Sequence, residues 1–307
     1  MYERCVILSV ISERQGNDLE YNWQERKRMD NIRMVALDLD GTTLDSQRRF
    51  SPRTIEAFRR AMERGVHIVI STGRVWCSLP SQMFDIEGLE YVITSNGASV
   101  TRLPEKERIF EKNLDPDAVR QVVDLVRNRD FSVDGFTDGQ AYIDAAEYED
   151  IQRNGSTYRD AEYVLSTRKP VDNIYDFILQ NRDHIENISL NFRTDEEKDA
   201  FRPEIEAVPG ITLTSSWHNN FEIGGPDTSK ADALHYLMGR LDIHKSQLMA
   251  CGDSPNDLKM MKLAGIGVAM GNASDAMKKE ADYVTDTNNE DGVAKAIERF
   301  VLRQDSK

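Results

Sequence analysis

The sequence predicts an α/β fold, a doubly wound parallel sheet with an inserted α+β domain. Three observations predict it. Short aliphatic runs alternate with helical patterns near both ends of the chain, which is the texture of parallel strands buried on both faces. The middle of the chain instead carries short alternating or aromatic runs of antiparallel type. Four polar stretches stand at or just after the carboxyl ends of predicted parallel strands, the edge where open α/β sheets take their ligands.

The elements follow in order. "RMVALDLD" from residue 33 is a buried strand, being a short run rich in aliphatics. A helix follows, with Ser51 as N-cap, Pro52 at its first position, Ile55, Phe58 and Met62 on one face, and Gly65 ending it. "VHIVIST" is the second strand. After a loop and a short helix, "EYVITSN" is the third. "NGASVTRLPEKERIFEKN" reads as a hairpin pair. Val119, Val122, Val123 and Val126 then line one face of the helix "DPDAVRQVVDLVRNR". "GFTDGQAYID", "ISLNFR", "ITLTSS" and "NFEIGG" supply the antiparallel runs. Toward the end, Ala231, Leu234, Leu237, Met238 and Leu241 form one helical stripe. "QLMACGD" is a strand, "PNDLKMMKLAG" a helix, "IGVAM" a strand, "ASDAMKKEA" a short helix, "DYVT" a strand and "EDGVAKAIERFVLR" a closing helix.

Spacing separates the two parts. Thr72 and Lys230 are 158 positions apart (230 − 72), whereas a βαβ unit needs about 30. After a third strand and its helix, about 100 residues remain, the size of a small domain. We therefore expect a catalytic core of residues 33–111 and 226–307, and an inserted cap of residues 112–225. Placed after the third strand, the cap would sit above the carboxyl edge of the sheet, able to close over a site and choose its substrate. Residues 1–32, polar and without a sustained period, are expected to form a poorly ordered extension. Met29 and Met34 both stand near the first strand, which leaves an over-long assigned start open.

Composition narrows the partners. The chain has 307 residues, 39% hydrophobic and 30% charged, with a formal net charge of −14. No run approaches the length a transmembrane helix needs. The acidic balance argues against nucleic acid and against an anionic membrane surface. Cys5, Cys77 and Cys251 have no metal-ligand spacing and favour a reducing cytoplasm. The five histidines likewise form no ligand set.

The four polar stretches are "DLDGT" (38–42), "STGR" (71–74), "DTSK" (227–230) and "GDSPND" (252–257). Together they bring Asp38, Asp40, Asp253 and Asp257, the hydroxyls of Ser71 and Thr72, and one cation, Lys230. Each stretch alone has an ordinary explanation as a turn or a helix cap. Four of them in order, each at a strand end, point to a site. Carboxylates converging on one point need a cation, and an oxygen-only set without His or Cys suits Mg²⁺, which shares its shell with substrate phosphate oxygens. Metal, Lys230 and backbone N–H groups would make a local positive pocket on an acidic protein. With phosphate as ligand, the first aspartate can attack phosphorus to form an aspartyl-phosphate. Its neighbour two positions on can protonate the leaving oxygen and then activate water. Thr72 and Lys230 would hold the phosphoryl oxygens.

This constellation resembles the haloacid dehalogenase superfamily of phosphatases, over roughly residues 33 to 307. "NGA" at 96–98, "GDSPNDLKMM" and "GVAMGNASDAMKKEADYVTDTNNEDGVAKAI" look more narrowly like its Cof-type sugar-phosphatase branch. The resemblance implies a Rossmann-like core with a cap. It makes Asp38 the nucleophile and Asp40 the acid/base, and it has Mg²⁺ held by Asp38, the Asp40 carbonyl and Asp253, with Asp257 supporting. Leu39, Thr72, Gly73, Lys230 and Asn256 would line the phosphate. Ala231 stands where the branch commonly has glycine, and Ser254-Pro255 where it commonly has Gly-Glu; neither change removes a functional group. The expected activity is Mg²⁺-dependent hydrolysis of small phosphorylated metabolites, sugar phosphates favoured, by a monomer or small homo-oligomer. The alternatives are a phosphomutase of related architecture, separable by its isomeric product, and a non-catalytic metabolite binder, disfavoured because a binder has no use for Asp40. Arg74 is expected to order its loop rather than touch phosphate, Asn96-Gly97 to form a turn near the site, and "EYEDIQRN" to be a solvated face.

Overall fold

A computed structural model describes residues 32–303. The extension expected over residues 1–32 lies outside the described residues except for Ile32, which is buried against the core. No described helix is long and apolar enough to cross a membrane.

Two sheets organise the chain. The larger has eight strands. Five of its first strands are β1 (Met34–Leu37), β2 (His67–Ser71), β3 (Tyr91–Thr94), β4 (Ser99–Arg102) and β5 (Glu107–Glu111). The remaining three are β12 (Leu248–Gly252), β13 (Ile266–Ala269) and β14 (Tyr283–Val284), numbered after the six strands of the second sheet. Their order is β14-β13-β12-β1-β2-β3-β4-β5. Pairing is parallel from β14 through β3 and antiparallel across β3–β4–β5. β1 is central, and all four of its side chains are buried, as a strand covered on both faces requires. Val35 and Leu37 pack on one side with Phe58 and Ile297, whereas Met34 and Ala36 pack on the other with Leu234 and Leu237.

The second sheet holds β6 (Ser132–Thr137), β7 (Gln140–Asp144), β8 (Arg168–Val171), β9 (Ile185–Asn191), β10 (Thr212–Thr214) and β11 (Asn220–Gly224), in the order β10-β11-β9-β6-β7-β8. All its pairs are antiparallel except β7–β8. The run "GFTDGQAYID" is thus two strands, because Asp138 and Gly139 both take positive φ and turn the chain. One face carries Ile188, Leu190, Phe221 and Ile223 against the valines of α2 (Pro116–Val126). Asn187, Ser189, Asn191, Asn220 and Glu222 alternate with that apolar set and take the other face.

Local signals explain most element ends. In α1 (Pro52–Glu63), Ser51 accepts the Thr54 N–H and Pro52 opens the helix, as expected. The buried stripe is Thr54, Ala57, Phe58 and Ala61. Ile55 is a correction: it is 41% exposed, because it lies about a third of a turn from the middle of that stripe. The expected short helix before β3 is also corrected. Residues 76–78 and 81–85 are separate 3₁₀ turns, since Pro80 removes the N–H that would join them. The second sheet brings helices that the sequence reading left out: α3 (Ala145–Asn154), α4 (Ala161–Thr167), α5 (Ile174–Gln180) and α6 (Asp195–Glu206). "EYEDIQRN" belongs to α3, which buries Ile151 alone. After β11 the chain enters α7 (Lys230–Arg240), with Ser229 as N-cap accepting the Asp232 N–H.

Candidate active site

The carboxyl ends of β1, β2 and β12 and the start of α7 meet at one edge of the larger sheet, and each brings one of the polar stretches. Lys230 is the first residue of α7 and is fully buried. Its Nζ donates to Asp38 Oδ1 at 2.5 Å and to Asp257 Oδ1 at 2.7 Å. Asp257 is equally buried, and its Oδ2 accepts the backbone N–H groups of Asp253 and Ser254 at 3.0 and 3.1 Å. Both oxygens of Asp257 are therefore engaged, and its part is to aim Lys230 and shape the 253–254 turn. Asp253 Oδ1 accepts from the Thr42 hydroxyl at 2.8 Å, a contact the sequence reading did not anticipate. The Asp38 carbonyl accepts from Thr43 Oγ1 at 2.5 Å.

Glycines permit the convergence. Gly41 has φ +76°, and a Cβ there would lie 2.6 Å from Asp253 Oδ2. A Cβ on Gly97 would lie 2.1 Å from the Ser229 carbonyl oxygen, so Gly97 lets the turn after β3 press against the start of α7.

The electrostatics are strained. Burial pushes the Asp38 carboxyl well above its usual range, and the neighbouring Asp257 pushes it further. Burial likewise pushes Asp253 up to about 6, again with help from Asp257. Burial alone would lower the Lys230 ammonium, but Asp257 and Asp38 outweigh it and hold it above its ordinary value. Three carboxylates face one ammonium. Ligand atoms of Asp38, Asp253 and Asp257 lie within 4.8 Å of one another, and an all-oxygen set of this kind fits a hard divalent cation. Asp38 keeps an oxygen that Lys230 does not occupy, and Asp253 Oδ2 accepts the Ser254 hydroxyl at 3.2 Å, a contact that a cation can share, so these are the members suited to hold it.

Asp40 is placed differently from its neighbours. Arg74 grips its carboxylate in a two-point pair, Nε to Oδ2 at 2.7 Å and Nη2 to Oδ1 at 2.6 Å. Arg74 also donates to the Ser78 carbonyl at 2.8 Å. It orders its loop, as expected, and additionally fixes Asp40, a pairing that no local spacing announces. The ring of Tyr163, on α4, lies 5.8 Å from the Arg74 guanidinium and 4.8 Å from that of Arg168.

The remaining expected residues gather nearby. Thr72 is buried, its hydroxyl accepting the Arg74 N–H at 3.0 Å. The Ser71 hydroxyl is buried without a partner among the described residues. The Leu39 side chain is buried in the core, so its backbone is the part available to a ligand. Gly73 leaves room for Asn96, whose Oδ1 would stand 3.1 Å from a Cβ there. Asn256 donates from Nδ2 to Asn96 Oδ1 at 3.0 Å, and Asn96 donates in turn to Glu222 Oε2 at 2.5 Å. Glu186, on β9, accepts from Ser95 Oγ at 3.0 Å and pairs with Arg108 at 3.2 Å. Asn96, Glu222 and Glu186 thus tie the two sheets together. The sequence marks Asn96 as a turn residue and gives the two glutamates no signal beyond strand alternation. Trp217 is 65% exposed and Phe136 is buried.

The haloacid dehalogenase-like hydrolase family model matches residues 35–297. The chain belongs to this family. Among curated relatives, the 5-amino-6-(5-phospho-D-ribitylamino)uracil phosphatase YcsE of Bacillus subtilis is 32% identical over 279 residues, covering 88% of this chain and 96% of that protein. The phosphoglycolate phosphatase of Methanobrevibacter smithii is 30% identical over 274 residues, covering 89% and 100%. Among solved structures, a haloacid dehalogenase-like hydrolase from B. subtilis matches with a TM-score of 0.76 at 29% identity, covering 88% of this chain and 100% of that one. These haloacid dehalogenase-like proteins span both sheets of the present chain, so the likeness extends well beyond the aspartate cluster.

Proposed function

We propose that the protein is a Mg²⁺-dependent phosphatase of small phosphorylated metabolites, sugar phosphates first, acting through an aspartyl-phosphate on Asp38. The observation that carries this reading is the buried Asp38–Lys230–Asp257 bridge beside Asp253, at the carboxyl edge of a parallel sheet. Burying two carboxylates, Asp38 and Asp257, beside the half-buried Asp253 costs several kcal/mol each unless cations meet them, and a fold keeps such a cluster where its charge is used. The relatives' names support the reaction class. They differ in the leaving group, a ribitylamino-uracil in one and glycolate in the other.

In the first half-reaction an Asp38 oxygen attacks phosphorus and the bond to the leaving-group oxygen breaks. Asp40 gives its proton to that departing oxygen. In the second, water attacks phosphorus as Asp40 takes its proton, the bond to Asp38 breaks, and inorganic phosphate leaves. Lys230, the Thr72 hydroxyl, the Asn256 amide and the backbone at Leu39 and Gly73 hold the phosphoryl oxygens. Arg74 holds both Asp40 oxygens in the resting site and releases them as Asp40 takes up the proton that it delivers. Asp38 and Asp253, with the Asp40 carbonyl, would hold Mg²⁺, which when bound supplies positive charge to the phosphoryl oxygens. Residues 112–225, acting as a cap, choose the leaving group and exclude water. The compartment we assign is the cytoplasm.

The test is a phosphate-release screen over sugar phosphates, nucleotides and phosphorylated cofactors, with and without Mg²⁺, for the wild type and Asp38→Asn. Release should require Mg²⁺ and fall by at least about a thousandfold in the variant, with its circular dichroism unchanged. Release that persists in Asp38→Asn overturns the mechanism.

A further inference from the structure

The two amides and the carboxylate that link the sheets form a chain with a direction. Asn256 Nδ2 donates to Asn96 Oδ1, and Asn96 Nδ2 donates to Glu222 Oε2. An ionised carboxylate only accepts, so Asn96 must turn its NH₂ toward Glu222. Its carbonyl oxygen then faces Asn256, which must turn its own NH₂ toward Asn96. What remains at the far end is Asn256 Oδ1, buried and without a partner among the described residues. A carbonyl oxygen is the wrong group to offer a phosphoryl oxygen, because both are acceptors. A proton on Glu222 reverses the chain. Glu222 then donates to Asn96 Oδ1, Asn96 Nδ2 donates to Asn256 Oδ1, and the NH₂ of Asn256 is released toward the site.

The backbone is built to hold this relay. Asn96 takes a left-handed φ of 54°, and Gly73 leaves the space into which its amide projects. Glu222 sits on β11, opposite Ser189 of β9 and Thr214 of β10. The Ser216 hydroxyl donates to its Oε1 at 2.8 Å, and the Asn220 side chain bonds to it as well. Lys230, on α7, is the charged group acting on it and favours the ionised form. Burial outweighs Lys230 and these hydrogen bonds and raises the carboxyl above its ordinary value.

We propose that Glu222 is a positioning residue which, through Asn96, selects the atom that Asn256 turns to the phosphoryl group: a donor when Glu222 is protonated, an acceptor when it is ionised. The proposal rests on the reading of this edge as a phosphate site. It makes the second sheet a participant in phosphate affinity as well as in substrate choice.

The test is the inhibition constant of inorganic phosphate, measured with the full chain and Mg²⁺ between about pH 5 and about pH 8, for the wild type and Glu222→Gln. The glutamine keeps its carbonyl oxygen on the Ser216 hydroxyl and turns its NH₂ to Asn96 at any pH, so its relay stays in the donor-out form. Titrations shared by both proteins cancel in the ratio of their constants. That ratio should be near one at the acid end and rise about tenfold in disfavour of the wild type at the alkaline end, the worth of one hydrogen bond to an anion. A ratio that stays constant with pH overturns the proposal. Should Glu222→Gln fail to fold, Asn96→Gly severs the relay while tolerating the left-handed backbone; it should remove the same pH-dependent component, and its retention overturns the proposal. A wild type that binds no phosphate overturns the phosphatase reading together with this one, whereas binding at a constant ratio overturns this one alone.

Discussion

Lys230 has no exposed surface, and its ammonium bridges two carboxylates, one of them the proposed nucleophile. Removing it leaves Asp38 and Asp257 facing each other in the interior, and uncompensated buried charge typically costs about 3 to 5 kcal/mol. Lys230→Met should lose about that much stability in urea denaturation without Mg²⁺, and its phosphatase activity should vanish. Unchanged stability would mean that Asp38 and Asp257 do not depend on the lysine. That the side chains proposed to react stand together was legible in the sequence, because each of their stretches lies at a strand end or a helix start. Their partners were less so. The Asp40–Arg74 pair spans 34 positions (74 − 40) and depends on how the loop after Thr72 turns. Glu222 and Glu186 looked like ordinary alternating strand residues, because their partners Asn96 and Ser95 stand in the turn between β3 and β4 of the other sheet.

Elements with a strong period and clear caps were read nearly to the residue. The valine face of α2 is buried at every expected position, and Ser51 caps α1. The helices α3, α4 and α5 were missed because they are short and bury few side chains: α3 buries only Ile151 and α4 only Val164. α3 also carries Glu147, whose Oε1 is buried without a partner among the described residues. Burial raises this carboxyl to about 7, although a hydrogen bond from Ser132 on β6 opposes the shift. The folded value lies above the unfolded one. Its contribution to stability is therefore complete below about pH 4 and is lost as pH rises through about 7. Glu147→Gln should remove that loss, leaving the variant more stable than the wild type above pH 7 by on the order of 2 kcal/mol. Melting temperatures across pH check it; parallel curves for the two proteins would contradict it.

At the scale of the whole molecule, a net charge of −14 opposes the binding of phosphorylated substrates. The resolution is local. The larger sheet brings Lys230 and the start of α7 to the same edge as three carboxylates, and a hard divalent cation would complete the neutralisation. The alternation of strand and helix made the larger sheet legible, and the long gap between Thr72 and Lys230 is filled by the strands of the second sheet. The order of the second sheet was not legible, since antiparallel register is set by tertiary packing of short strands. The mechanism proposed for this phosphoric monoester hydrolase turns on one bond, between Asp38 and phosphorus. The most direct test is acid quenching during turnover of an active substrate, followed by peptide mass spectrometry. A phosphoryl group on the peptide bearing Asp38, absent from Asp38→Asn, is the predicted result. A phosphoryl group on another residue, or none under conditions where phosphate is being released in a burst, would contradict it.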